Sequence, residues 1–450
     1  MNKLFKLLPA LSIALVLMIG FTACGSKDGA SQTNDDKTPD DKTHDDKTNK
    51  ASTTAELATG LWRATVKTPG GELPFQLDVA KEKDGKRYIA HIINGEERIL
   101  LDEIAFPTPD SVKITLHIFD AFLVGKINEG KSIQGVWIKN GLKEPYEVVF
   151  EAEYGKDYRF EPAKGETSVD YTGKWEVVFT EKDGSTYPAI GIFKQDGRKV
   201  SGTFLTTTGD YRYLEGQVNE KDELLVSAFD GNHAFLFKAT QKDNKINGKF
   251  WYGKSVYETW TGVKNEEAKL ADANKLTYLK KGYDKLAFSF PNMEGKKVSL
   301  EDDRYKDKVV LVQIFGTWCP NCMDETAFLA PWYAKNKGRG VEIIGLAYER
   351  SPEFAKAKVR IDKMAKRFNI GYEFLFAGIN DKKEAAKTLP MLNHVLSYPT
   401  TIFIDRTGKV RKIHTGFNGP GTGKYYEEFK KEFNETMEEL IGEKAAVASK

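Results

Sequence analysis

Two periodicities divide this chain. Between residues 57 and 263, apolar and polar positions alternate in short stretches, such as Val112-Lys113-Ile114-Thr115-Leu116 and His233-Ala234-Phe235-Leu236-Phe237. Asp-Gly pairs at Asp84-Gly85, Asp183-Gly184 and Asp196-Gly197 punctuate them, which is the chemistry of tight hairpin turns. This half predicts antiparallel strands. Further on, the continuous apolar runs 309–315 and 341–346 predict strands buried on both faces, as in a parallel sheet. Ser351-Pro352-Glu353 reads as an N-cap followed by an N1 proline. Behind it Phe354, Ala357, Ile361, Met364, Ala365 and Phe368 fall at helical spacing. Residues 372–376 predict another strand and 384–389 a short helix. Tyr425, Phe429, Phe433, Met437 and Ile441 recur every four residues and predict a closing amphipathic helix.

The alternating half is duplicated. Thr59-Gly60-Leu61-Trp62 returns as Thr172-Gly173-Lys174-Trp175, and Phe119-Asp120 as Phe229-Asp230. Gly135-Val136-Trp137 returns as Gly248-Lys249-Phe250-Trp251. A repeat of about 110 residues is enough for one small domain per copy. The expectation is two all-β domains, sandwich or small barrel, at 57–154 and 170–263. Thr-Gly-x-Trp opens several ligand-binding barrels, yet such a Trp is more often a plug for the barrel end. His91, His117 and His233 show no cluster and are assigned ordinary surface or strand roles. Residues 264–282, with Leu270, Leu276 and Leu279, are expected to form a connecting helix.

The chemistry sits between the apolar run 309–315 and the next helix. After the small turn Gly316-Thr317-Trp318 come Cys319-Pro320-Asn321-Cys322, then a helical stretch from Met323 to Leu329. Two cysteines spaced i, i+3 at a helix N-terminus can close a disulfide, and the helix end favours the thiolate of the first. A thiolate attacks other disulfides, so the arrangement points to redox exchange. Structural zinc needs four ligands, no second Cys pair exists, and the six histidines are scattered. Neither a metal nor any other cofactor is expected.

Trp-Cys-x-x-Cys after a hydrophobic strand, with Tyr398-Pro399-Thr400-Thr401-Ile402-Phe403-Ile404-Asp405 and Gly408-Lys409-Val410 downstream, resembles a thioredoxin-fold domain. More narrowly, residues 283–442 resemble the membrane-tethered TlpA/ResA-type thiol–disulfide oxidoreductases, including a lead-in at Phe288-Ser289-Phe290-Pro291-Asn292. The resemblance implies an α/β thioredoxin-like domain after the β-domains. It implies that Cys319 is the exposed nucleophile and Cys322 the buried resolving thiol, forming a redox disulfide. Pro399 matches the cis-proline facing that pair, so Trp318, Tyr398 and Pro399 become the candidate substrate-binding residues. Glu325 matches an acidic residue implicated in thiol proton transfer; a dipole-facing carboxylate in the first helical turn is its alternative. A minimal thioredoxin has a buried Asp where this chain has Gln313, which makes Glu325 the substitute proton carrier. The Pro-Asn dipeptide between the cysteines differs from Gly-Pro, so no potential transfers from relatives.

The N-terminus sets an expected location. Lys3 and Lys6 precede an apolar run 7–21, the pattern of a signal peptide over 1–23. Phe21-Thr22-Ala23-Cys24 approximates a bacterial lipobox, which would make Cys24 a lipidated first residue on a tether spanning 24–56. Three copies of an Asp-Asp-Lys-Thr-x pentapeptide fill that tether and cannot bury a core. Gly25 after Cys24 favours outer-membrane sorting, with a periplasmic or surface face. A formal charge of +2 argues against nucleic acid as a partner. The expected partners are protein disulfide substrates, a membrane thiol reductant, and the membrane itself through lipid on Cys24. The leading expectation is a cell-envelope protein disulfide reductase. Two alternatives stay open: a binding lipoprotein whose β-domains are primary, and a thiol peroxidase, although Thr317 stands only two residues before Cys319.

Overall fold

The computed structural model describes residues 56–142 and 144–443. The expected signal peptide, Cys24 and the tether up to residue 55 lie outside the described residues.

Alternation becomes a curled meander in the first β-domain. Trp62, Ala64 and Val66 of Gly60–Thr68 face inward, opposite Leu73, Phe75, Leu77 and Val79 of Gly71–Lys81. Nine strands follow one another antiparallel, and the last, Tyr146–Tyr154, returns beside the first. The second β-domain closes completely, because Thr186–Asp196 pairs with Gly173–Thr180 on one side and with Lys199–Thr206 on the other. Its interior is filled by Phe179, Phe204, Phe237, Phe250 and Trp260 in stacked and edge-to-face contact. Both sheets are barrel-like.

The duplication is literal at atomic detail. Trp62 donates its indole N–H to the Ala58 carbonyl at 2.9 Å, and Trp175 donates to Tyr171 at 2.8 Å. Each follows a glycine held at positive φ, 121° at Gly60 and 117° at Gly173, where a side chain would be strained. The third repeated motif needs a correction. Counting from the shared glycine, Phe250 and not Trp251 takes the place of Trp137. A one-residue offset in a strand reverses the face. Trp251 therefore lies outside against Lys238, and Trp260 fills the space beside Gly248.

The C-terminal domain is a mixed five-stranded sheet. Its order is Glu373–Ile379, Val341–Glu349, Val309–Phe315, Thr400–Ile404, Val410–Thr415, parallel through the first three and antiparallel thereafter. Every residue of Val309–Phe315 is buried. Helices Pro320–Asn336, Phe354–Arg367, Lys382–Thr388 and Lys424–Gly442 pack around it, and Phe328 meets Phe429 and Phe433 across the first and last of these. The lead-in forms a small hairpin, Ser289–Pro291 with Lys297–Ser299.

Two sequence expectations fail here. The connecting helix over 264–282 is a single turn, Ala273–Leu276, capped by Asp272. Leu276 and Leu279 stand three residues apart, but Leu270 and Leu279 pack on different bodies, so no single helix face is buried. The segment instead runs along two partners. Ala268 and Leu270 pack on Ile190 and Leu205, whereas Tyr278 and Leu279 pair with Asn393 and Leu392. The helix expected from Ser351 begins at Phe354, with Glu353 as its N-cap residue. Ser351 accepts the Glu353 N–H at 3.2 Å in a local turn that consumes the would-be cap.

The filled second barrel makes a stability prediction. Phe237→Ala should cost about 3–5 kcal/mol, the usual range for an aromatic removed from a packed interior. Val263→Ala, on a half-exposed side chain, should fall within about 0.5 kcal/mol of the parent. Urea unfolding of the two variants measures the contrast, and equal losses would contradict a packed barrel interior.

Candidate active site

A fully buried strand must end without stranding its backbone polar groups, and its exit builds the site. After Phe315 the chain turns, and Cys319 donates its N–H to the Gly316 carbonyl at 3.1 Å. Cys319 is the N-cap of Pro320–Asn336, its Sγ accepting the Cys322 N–H at 3.3 Å. A sulfur thus occupies the place of a capping oxygen, at the positive end of a 17-residue helix. Cys319 and Cys322 are joined as a disulfide with Cα atoms 5.2 Å apart.

The turn is anchored from the neighbouring strand. Glu349 accepts from the Thr317 N–H at 2.8 Å and from its hydroxyl at 2.7 Å, while the Trp318 indole donates to the Tyr348 carbonyl at 2.8 Å. Glu349 is completely buried, which pushes its carboxyl above the ordinary range. Sequence reasoning missed it. A charged residue just past an apolar run reads as the solvated end of a strand, and only the 32-residue separation from Thr317 reveals its task. The Tyr398–Pro399 peptide is cis, and the Tyr398 ring meets Trp318 edge-on at 5.5 Å between centroids.

Glu325 lies one helical turn past Cys322, on the same helix face. It is buried rather than facing solvent at the helix end, accepting from Gln313 Nε2 at 2.8 Å and from the Thr401 hydroxyl at 2.7 Å. Burial pushes its carboxyl up to about 7, against the pull of those two donors. Gln313 and Glu325, linked in the sequence only by a departure from thioredoxin, are in direct contact. Thr401 completes the trio.

Residues 282–413 match the AhpC/TSA family. They form an AhpC/TSA-family domain with a thioredoxin-like fold. The chain is 30% identical over 129 residues to thiol-disulfide oxidoreductase ResA of Geobacillus thermodenitrificans (strain NG80-2), covering 29% of this chain and 66% of that one. It is 35% identical over 124 residues to ResA of Bacillus thuringiensis subsp. konkukian (strain 97-27), covering 27% and 62%. The chain therefore spans just under two thirds of these relatives. A putative thiol:disulfide interchange protein DsbE from Chlorobium tepidum is similar in structure at TM-score 0.28 and 22% identity, over 37% of this chain and 100% of that one.

His91 lies in the strand Tyr88–Asn94, as expected, whereas His117 and His233 depart from their assigned roles. His117 is half-buried at a positive φ of 54°, its ring against Phe368 of the AhpC/TSA domain, and desolvation pushes it down to about 4. His233 shares a hydrogen bond with Asp230 at 3.1 Å. Both sit in the same hairpin of their respective repeats, a correspondence that isolated histidines in a sequence do not display. Among the described residues, no three His, Cys, Asp or Glu side chains converge to hold a metal ion.

The environment of Glu325 fixes the sign of a pH effect. With its folded value raised from 4.5 to about 7, the folded chain keeps a proton that the unfolded chain has lost. Stability therefore falls as pH rises through that window and levels off above it. Glu325→Gln should remove on the order of 3 kcal/mol of this decline between pH 4.5 and 8. Denaturant unfolding of the oxidised protein at both ends of the window measures it. A variant with the parent's slope would show that the carboxyl is ionised in the fold.

Proposed function

We propose that this chain is a cell-envelope thiol–disulfide oxidoreductase that reduces disulfides of exported proteins through Cys319 and Cys322. The observation that carries this reading is a disulfide-bonded pair at a helix N-cap with a buried carboxyl one turn along. In the reduced enzyme the Cys319 thiolate, favoured by the Cys322 N–H and the helix end, attacks one sulfur of a substrate disulfide. The substrate S–S bond breaks, one substrate thiolate leaves and takes a proton, and a mixed disulfide to Cys319 forms. Glu325 then accepts the Cys322 proton, and the Cys322 thiolate attacks Cys319 Sγ. That step breaks the mixed disulfide, releases the second substrate thiolate, which takes the proton held on Glu325, and leaves Cys319 and Cys322 oxidised, two electrons having passed to the substrate. A membrane thiol reductant restores the dithiol. Trp318, Tyr398 and Pro399 border the pair and form its substrate-facing rim.

The peroxidase alternative loses support from Thr317, whose hydroxyl and N–H are both committed to Glu349 and not turned toward a peroxide at Cys319. Ligand capture inside the second barrel is disfavoured by its aromatic filling. The location reading rests on the sequence alone: a signal peptide, lipid on Cys24, and an outer-membrane site.

Cys322→Ala should accumulate a mixed disulfide with a substrate protein, visible on non-reducing gels, while Cys319→Ala forms none. Wild-type turnover by Cys322→Ala would end the two-thiol mechanism. Separately, Cys24→Ala should move the protein from the membrane to the soluble fraction with disulfide exchange unaltered, because lipid supplies location and not chemistry. Persistent membrane association would refute lipidation at Cys24.

A further inference from the structure

The rim around Cys319 is already occupied, by the chain's own second β-domain. Its loop from Thr206 to Arg212 lies along the segment before Pro399 and along Gly416. Ser397 donates its hydroxyl to the Thr208 carbonyl at 2.8 Å, and a Cβ on Gly416 would sit 3.2 Å from the Thr207 oxygen. Asp210 accepts the Gly419 N–H at 2.6 Å, and its carbonyl lies 3.5 Å from the amide of Asn321, between the two cysteines. The next hairpin covers the other side. Asn232 donates to the Trp318 carbonyl at 2.9 Å and accepts from Arg350 at 3.1 Å. Trp318 and Asn321, Ser397, and Gly416 and Gly419 come from three turns around one sulfur, and each meets this domain. Cys319 and Tyr398 are left 6% and 7% exposed.

The way this domain is held differs on its two sides. Against the first β-domain the join is apolar and close: Phe229 stacks on Phe75 at 4.2 Å and meets Trp137 at 5.0 Å. Arg159 adds bonds to the Pro74 and Ile93 carbonyls and to Ser227. Around the thiol pair the seat is polar and incompletely packed. Arg212 bonds Asp324, the neighbour of Glu325, and also Glu97 of the first β-domain, with Asp230 3.8 Å away. A cavity of about 300 Å³ remains beside it, lined by Ile99, Phe119, Pro320, Met323 and Phe368 among others. Polar interfaces between domains open more readily than apolar ones. The chain between the two bodies also changes partner, from Leu270 on the second barrel to Asn274 on His414.

We propose that the two β-domains form one gate over the redox pair, closed in this arrangement, which keeps bulky disulfide- or dithiol-bearing proteins from Cys319 until Arg212 and Asn232, with the Asp120–Arg360 and Asp102–Arg367 pairs of the first β-domain, release the AhpC/TSA domain. The proposal rests on the oxidoreductase reading above. Thiol exchange needs three sulfurs nearly in line, and a folded protein cannot bring its sulfur to Cys319 past the 206–212 and 230–233 loops. A small dithiol needs far less of the rim. Bulk, set by this chain's own β-domain, is then the first selector of partners.

The test uses the oxidised full chain, with dithiothreitol and a reduced thioredoxin-sized protein dithiol as the two reductants of Cys319–Cys322. Arg212→Gln should raise the protein-dithiol rate about tenfold and Asn232→Ala about fivefold, the population shifts given by a lost charged or neutral hydrogen bond. Neither should change the dithiothreitol rate more than about twofold, since that reagent does not sample the open fraction. Asn232→Ala removes loop contacts alone and decides the matter should Arg212→Gln fail to fold. An unchanged ratio of the two rates, or equal acceleration of both, overturns the gate. A pair that neither reductant touches in any variant overturns the oxidoreductase reading itself, and the gate with it.

Discussion

A strand buried along its whole length can leave the sheet only where every backbone group it exposes finds a partner. At Phe315 that requirement is met by Gly316, Glu349 and a sulfur. Glu349 takes both donors of Thr317, the Gly316 carbonyl takes the Cys319 N–H, and Cys319 Sγ takes the Cys322 N–H. The reactive atom is thereby part of the solution to a folding problem. Losing any one of these partners would leave a buried donor unmet, at about 1–3 kcal/mol. The same turn aims Trp318 at Tyr398 and so shapes the rim beside the pair.

Electrostatics distinguish the two carboxyls next to Cys322 in sequence. Glu325 is buried and Asp324 half-buried, and both are pushed up to about 7, yet their surroundings differ. Glu325 has only neutral donors, Gln313 and Thr401, so no cation beside it holds it as a carboxylate. Asp324 faces the guanidinium of Arg212, which draws it back toward the carboxylate, while Glu97 and Asp210 oppose that pull. One acid is therefore suited to proton transfer and its neighbour to docking. Successive helix positions point about 100° apart, which is what allows adjacent residues to serve different domains.

Much of this was legible in the sequence where the signal was local. The run 309–315, the turn and the Cys-x-x-Cys spacing specify a strand, an N-cap and a helix within some fifteen residues. Two β-domains followed from alternation and repeated Thr-Gly-x-Trp, because period and turn chemistry are written residue by residue. What stayed hidden depends on distance along the chain. Arg212 meets Asp324 across 112 residues, and Asn232 meets Trp318 across 86. In isolation each reads as an ordinary loop residue of a polar hairpin. The 264–282 segment failed for the opposite reason: three leucines suggested a helix, although their neighbours' hydrogen bonds were destined for other elements.

The duplication gains meaning from its hairpins. In each repeat the connection carrying Phe-Asp, with a histidine nearby, turns toward the AhpC/TSA domain. Asp120 of the first repeat pairs with Arg360 at 2.7 Å, and Asp230 of the second lies beside Arg212 and His233. His117 of the first packs on Phe368, and Asn232 of the second reaches Trp318. Two copies of one corner thus grip different sides of the same partner: the first holds the helix Phe354–Arg367, the second covers the thiols. Asp230 stays within its own domain, where it orders the hairpin that carries Asn232, whereas Asp120 makes its ion pair directly to the AhpC/TSA domain.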